Sequence, residues 1–272
     1  MARPFDIDPD QIADIIRDAA ETEILPRFRQ LESHEITEKN PGDLVTVADQ
    51  MAEAYLHRRL ESQIPGALII GEEAHETNPK ALQDLSSAEW AWVIDPVDGT
   101  HNFAHGRAKF AVILALVHRG ETVFGWIYDP VNGRLAAAEK GAGAFLDGAA
   151  LRRKAPIPIA GMTGSVGPKL GDRVRQRAAQ HGDEIPKRFL RYRCVGLEYM
   201  DVAAGVLDFA RYAGRMMPWD HAAGVLLCQE AGGHAAMTGD GRGYAPGSRP
   251  PGDALLLAPD TETWSALNQL LF

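Results

Sequence analysis

Apolar positions recur at helical spacing from residue 8 to residue 28, where Ile12, Ile15, Ile16, Ala19 and Ala20 fall on one face. Pro9 stands where a first helical turn tolerates proline, and Pro26 is expected to kink or end the helix. A second helix is predicted over residues 47–60, with Val47, Ala48, Met51, Ala52, Tyr55 and Leu56 on its apolar face and Thr46 as its N-cap. Short apolar runs at 67–70, 90–94, 110–117 and 123–128 read as strands, each bounded by turn residues. Asn132-Gly133 and Asp147-Gly148 mark tight reversals, so the middle of the chain predicts an antiparallel or mixed sheet. Beyond Arg152-Arg153-Lys154-Ala155-Pro156, helical spacing at 171–181, 197–206 and 219–231 alternates with extended runs at 159–166, 190–195 and 254–257. The expected organisation is an α+β lobe over residues 1–148 and an α/β lobe over 149–272.

With 272 residues, 45% hydrophobic and 24% charged, the chain can bury two substantial cores. No stretch reaches the ~18–20 apolar residues of a membrane span. Met1 to Asp6 lack the basic-then-apolar pattern of a secretory signal, so a cytoplasmic protein is expected. Cys194 and Cys228 have no neighbouring cysteine or histidine at ligand spacing and read as buried free thiols. The net charge of −9 disfavours nucleic acid and anionic membranes, which bind through Lys and Arg.

Acidic residues at the ends of apolar runs carry the chemistry. In Trp92-Val93-Ile94-Asp95-Pro96-Val97-Asp98-Gly99-Thr100-His101-Asn102-Phe103 an apolar strand is expected to end at Asp95, and Pro96 favours a tight turn that brings Asp95 and Asp98 together. Gly99 permits close backbone approach, and the Gly99 and Thr100 amides are placed to meet an anion. Ile70-Gly71-Glu72-Glu73 repeats the strand-then-acid pattern, although adjacent glutamates commonly face solvent. Asp220, in Pro218-Trp219-Asp220-His221, begins an apolar helix, a place where an acid also serves as a cap. Glu72, Asp95, Asp98 and Asp220 together are the hard oxygen donors that magnesium accepts. If they converge, two ions about 3.5–4 Å apart would relieve their repulsion, admit a phosphate and activate water for in-line displacement.

These segments resemble the inositol monophosphatase family of lithium-sensitive, metal-dependent phosphatases. Gly71-Glu72-Glu73, then Asp95-Pro96-Val97-Asp98-Gly99-Thr100 with Asn102-Phe103, then Trp219-Asp220-His221-Ala222-Ala223-Gly224 follow its order across nearly the whole chain. The resemblance implies a layered α-β-α-β-α sandwich, a homodimer, two or three magnesium ions per site and a small phosphate monoester, such as inositol monophosphate or a related sugar or polyol phosphate. It assigns Glu72, Asp95 and the Val97 carbonyl to one ion, and Asp95, Asp98 and Asp220 to a second. Glu73 is secondary. Thr100, backed by Asp49 of Asp43-Leu44-Val45-Thr46-Val47-Ala48-Asp49, would orient the attacking water. Thr46-x-x-Asp49 equally fits a helix capping box. His101, a threonine in much of the family, shapes the pocket.

Two departures bear on the substrate. The stretch Tyr212-Ala213-Gly214-Arg215 lacks the glutamate that inositol-specific members place before Trp-Asp. Glu198, in Gly196-Leu197-Glu198-Tyr199, stands where those members have a small residue and is similar to an acidic position of histidinol-phosphate phosphatases. It reads either as an acid facing the substrate, alongside Asp98, Gly99, Thr100 and Asp220, or as a solvated residue in a first helical turn. A histidinol-phosphate phosphatase, or a non-enzymatic protein on this fold contacting RNA or a transcription partner, are the competing expectations.

Overall fold

The computed structural model describes residues 7–153, 155–247 and 253–272; the chain start at Met1 to Asp6 and Lys154 of the inter-lobe stretch lie outside them. Helix α1 (Pro9–Ala19) starts at Asp8, whose carboxylate accepts from the Asp10 amide at 3.0 Å. It does not continue as one α-helix to Phe28: a π turn at Ala20–Ile24 and a 3-10 turn at Leu25–Arg27 follow, because Pro26 has no amide for the ladder. Strands β1 (Ile36–Asn40) and β2 (Asp43–Thr46) pair as a hairpin that the polar sequence Ile-Thr-Glu-Lys-Asn did not betray. Thr46 then caps α2 (Val47–Glu61).

The central sheet is built from β3 (Leu68–Gly71), β4 (Trp90–Asp98), β5 (Ala111–His118), β6 (Glu121–Asp129), β7 (Arg134–Glu139), β8 (Gly143–Leu146) and β9 (Ala149–Leu151), in that spatial order. Only β3 and β4 run parallel. Short helices α3 (Glu72–Thr77) and α4 (Ala81–Asp84) lie in the β3–β4 crossover, and α5 (Thr100–Ala104) follows β4. Asn132-Gly133 and Asp147-Gly148 make the reversals expected of them between β6 and β7 and between β8 and β9. One expectation needs correction. Strand β4 does not end at Asp95 but runs on to Asp98, with Asp95 opposite Ile113 and Asp98 opposite Ala111. Three steps on one strand against two on the other is a bulge, which takes Pro96 out of the ladder without stopping the strand.

A second sheet has the order β11-β10-β12-β14-β13, from β10 (Thr163–Ser165), β11 (Arg188–Leu190), β12 (Phe209–Ala213), β13 (His234–Met237) and β14 (Ala254–Ala258). Helices α6 (Pro168–His181), α7 (Val195–Ala203), α8 (Pro218–Glu230) and α9 (Thr261–Leu271) complete this half. Expected strands shorten: Ile159–Gly161 is a 3-10 turn, and β11 stops at Leu190 so that residues 191–194 form a loop.

Alternation along the strands divides the interior into three cores. Trp92 and Ile94 of β4 and Val112, Leu114 and Leu116 of β5 face α1 and α2, while Ala91, Val93, Ile113 and Ala115 face α7 and α8. In β14, Leu255 and Leu257 face the same two helices, whereas Leu256 and Ala258 face Trp264 and Leu267 of α9. The layers are therefore α1/α2, seven-stranded sheet, α7/α8, five-stranded sheet and α6/α9, the sandwich the sequence resemblance implied. Helix α8 is apolar around most of its circumference because sheets cover it from both sides.

Close packing in the middle layer is set by Gly224. A Cβ there would lie 2.1 Å from Cγ of the fully buried Tyr199 ring. Gly224→Ala is expected to lower stability by about 1–3 kcal/mol through overpacking, seen as a lower urea midpoint at unchanged m-value; an unchanged midpoint would show that α7 and α8 separate freely.

Candidate active site

The bulge and a glycine aim the β4 carboxylates. Asp95 lies at the last regular pair of the strand and its Oδ1 accepts from the Val97 amide at 3.2 Å, a local turn that leaves the Val97 carbonyl free to face Thr100. Gly99 takes φ +90°, and a Cβ there would meet the Lys109 carbonyl at 2.9 Å and the Arg193 carbonyl at 3.2 Å. Both the left-handed backbone and the lack of space demand glycine. The chain then enters α5 with Thr100 at its first position.

Thr100 Oγ1 lies 3.0 Å from Asp49 Oδ1 and 3.0 Å from the Val97 carbonyl oxygen. The other Asp49 oxygen accepts from the Thr46 amide at 2.8 Å and the Thr46 hydroxyl at 2.5 Å. The capping box and the link to Thr100 thus coexist, because a carboxylate has two oxygens and α2 turns one to each task. Burial, partly offset by these hydrogen bonds, raises Asp49 to about 7.

Four further carboxylates face one another here. Asp95 is held well above the usual range by burial and then by the charges of Glu72, Asp98 and Asp220. Glu72, at the start of α3 with its side chain 25% exposed, is raised by burial and by Asp220. Burial, followed by the charge of Asp98, raises Asp220 to about 8. Asp98 is also raised by burial, but three donors oppose it: Cys194 Sγ at 3.0 Å, the Val195 amide at 3.1 Å and the Gly196 amide at 2.6 Å. Charge coupling thus links Glu72, Asp95, Asp98 and Asp220, the acids that the sequence nominated for metal.

Residues that sequence reasoning missed hold this arrangement. Glu53 of α2 accepts from the Glu73 and Ala74 amides, both at 2.8 Å, and fixes the start of α3. Lys39 of β1 pairs with Glu73 at 3.0 Å and lies 3.7 Å from Glu72. Burial alone would lower Lys39, yet the two glutamate charges outweigh it and raise its pKa. Cys194 carried only the reading of a buried free thiol, and Gly196 none of its own. Glu53 and Lys39 gave no signal at all, being one acid and one base on ordinary polar positions.

Two further nominated residues make no hydrogen bond to these carboxylates among the described residues. His101 stacks on His105, with centroids 4.2 Å apart, and is lowered by burial and by Arg193. Glu198 is completely buried, which removes the solvated reading. Its Oε1 accepts from the Tyr192 amide at 2.6 Å, while Oε2 has no hydrogen-bond partner among the described residues.

Among the described residues no group of three or more Asp, Glu, His or Cys side chains is placed so that it could hold a metal ion. The donor chemistry nonetheless fits a hard divalent cation: these are carboxylate and carbonyl oxygens, buried or half-buried, and among the described residues Lys39 is the one cation ion-paired with them. The raised pKa values are the protonic equivalent of that missing positive charge.

A two-sheet sandwich with acids converging where β4, α3 and α8 begin or end defines the class to which the chain belongs. Residues 9–266 match the Inositol monophosphatase family, and the chain is a member of it. It is 34% identical over 200 residues to the inositol-1-monophosphatase of Bacillus subtilis, covering 72% of this chain and 73% of that protein. It is 33% identical over 219 residues to the Nus factor SuhB of Vibrio cholerae, covering 77% of each. Among solved structures an IMPase of Thermotoga maritima shares the fold with a TM-score of 0.79 at 23% identity, over 96% of this chain and 95% of that one.

The raised acids make a pH prediction. Their folded pKa values exceed the unfolded ones, so the folded state binds protons more tightly and stability falls as pH rises through the folded values. His221, lowered to about 3 by burial, acts oppositely only below about pH 6.5, where an unfolded histidine takes up its proton. In EDTA, the melting temperature is expected to fall between about pH 6.5 and 8.5, bracketing Asp49 near 7 and Asp220 near 8. Excess divalent cation at the upper pH should restore it. A flat or rising profile in EDTA would contradict the assignment.

Proposed function

We propose that the protein is a magnesium-dependent phosphatase that hydrolyses a small phosphate monoester of a sugar, cyclitol or polyol. The observation that carries this reading is the placement of Thr100 Oγ1 3.0 Å from Asp49 Oδ1, beside the cluster of Glu72, Asp95, Asp98 and Asp220. Divalent cations held by that cluster would supply the charge that admits a phosphate dianion and makes water nucleophilic near neutral pH.

The chain's own groups do the rest. A hydroxyl has one proton to donate, and Thr100 directs it at Asp49 or the Val97 carbonyl, leaving its lone pairs to accept from a water aligned with the ester phosphorus. Asp49, raised to about 7, is poised to receive the proton that this water loses. Glu72, Asp95, Asp98 and Asp220 would hold the cations that position this water and stabilise the leaving oxygen. Gly99 lets the backbone approach the phosphoryl oxygens closely. On family likeness we also read the protein as a lithium-sensitive, cytoplasmic homodimer; among the described residues no helix is long and apolar enough to cross a membrane.

Relatives named Nus factor SuhB motivate a second reading, a binding protein for RNA or a transcription partner. The net charge of −9 opposes the RNA form of it. Release of inorganic phosphate from inositol, histidinol, sugar and nucleotide monophosphates, with and without magnesium, separates the two. Magnesium-dependent release from at least one ester is expected, and none from any would overturn the phosphatase reading.

Thr100→Val tests the mechanism at nearly constant volume. The turnover number should fall about 100-fold or more, the lower end for loss of a proton-transfer partner, with KM little changed and the melting temperature near wild type. Full turnover would remove Thr100 from the proton path.

A further inference from the structure

The loop between β11 and α7 presents two arginines from a backbone that is fixed on every side. The Asn102 side-chain amide reaches the carbonyls of Tyr192 at 2.9 Å, Arg193 at 3.1 Å and Lys109 at 2.8 Å. From the other side, Glu198 accepts the Tyr192 amide at 2.6 Å, and the Tyr192 hydroxyl donates to Asp201 at 2.8 Å. Lys109 covers the Tyr192 ring, its ammonium 3.8 Å from the centroid. Arg193 adopts φ +59°. Arg119 and Asp147 also have positive φ, but each precedes a glycine in a two-residue hairpin turn, where such backbone is expected; Arg193, like Arg29 at φ +62°, lies outside any such turn. Strain of this kind persists where the surroundings over-determine it, and it concentrates at working sites.

The arginine side chains of this loop are not tied down as Tyr192 and Cys194 are. Arg191 and Arg193 are exposed, as is Arg215 beyond β12, and none of the three makes an ion pair among the described residues. Arg193 instead approaches His101, the neighbour of Thr100, at 3.4 Å. The charge of Arg191 reaches Glu198, Asp98 and Asp220, and that of Arg215 reaches Asp220. Glu198, the acid nominated to meet the substrate, is sealed behind them. Arg215 is moreover the sole charged side chain in Tyr212-Ala213-Gly214-Arg215, the stretch without a glutamate to recognise polyol hydroxyls. An arginine fork suits a carboxylate or phosphate and has little to offer a neutral hydroxyl.

We propose that Arg191, with Arg193 and Arg215, forms a cationic rim that holds a second anionic group of the substrate, so that the preferred ester carries a carboxylate or a second phosphate besides the phosphate that is hydrolysed. The inference rests on the phosphatase reading for its substrate class, and the rim itself is a binding surface that exists without turnover. Glu198 and Asn102 are positioning residues for it, since they fix the loop and touch no ligand.

The test uses matched esters differing by one anionic group: glycerol 3-phosphate against 3-phosphoglycerate for a carboxylate, and fructose 1-phosphate against fructose 1,6-bisphosphate for a phosphate. Wild-type kcat/KM is expected to favour an anionic partner, and that ratio should drop about tenfold in Arg191→Gln or Arg215→Gln, the size of one charge-assisted contact. The pair that responds identifies which group the rim takes. Calorimetric binding of the same esters supplies a readout independent of hydrolysis. Selective binding of the anionic partner without turnover would support the rim while the phosphatase reading failed. Turnover without charge preference, or an equal loss for all esters in both variants, would overturn the rim and reduce the arginines to neutralising Asp98 and Asp220.

Discussion

Repulsion among carboxylates is the constraint from which the rest of this structure follows. Asp95, Asp98, Glu72 and Asp220 come from three separate segments, where burial and then the charges of its fellow acids raise Asp95, Glu72 and Asp220. Such an arrangement persists only if the backbone carrying each acid is anchored elsewhere. Every anchor is visible: the bulge in β4 for Asp95 and Asp98, Glu53 beneath α3 for Glu72, and the two-sided burial of α8 for Asp220.

The middle helix layer is where the two halves become one site. Helices α7 and α8 pack between the sheets, and their N-termini deliver the Val195 and Gly196 amides to Asp98 and set Asp220 beside it. Asn102, on α5 of the first half, in turn clamps the loop before α7. Asp98 is thus addressed by residues nearly a hundred positions away, and Gly99 is obligatory partly because the Arg193 carbonyl passes so near. Packing of the core and geometry of the site are here the same set of contacts.

Charge has two roles in this cleft. Lys39 is buried beside Glu72 and Glu73 and stabilises the resting arrangement of acids. The arginines of the 191–193 loop are exposed and make no ion pair among the described residues, although the net charge of −9 offers abundant acidic partners. A buried base among acids is structural, whereas an exposed base held on a rigid, strained loop faces outward toward whatever arrives.

Strong local patterns were readable from the sequence. Helix α2 and its Thr46 cap, strands β3 to β6, the two hairpin reversals, α8 and the order of the acidic motifs all follow from periodicity, capping and turn chemistry acting over a few residues. The ligand-type acids were legible for the same reason: each stands at the end of an apolar element. Short or polar strands such as β1, β2 and β12 were not legible, because their residues satisfy the backbone through partners remote in sequence. Nor was the continuation of β4 past Pro96, which depends on Ala111 being there to pair with Asp98. The burial of Glu198, the Cys194 contact to Asp98 and the Lys39 pair with the glutamates were decided only by tertiary structure. A single residue type at a single position fixes what a side chain can do; which groups surround it, and therefore whether it caps, supports or reacts, is settled when distant segments share one cleft.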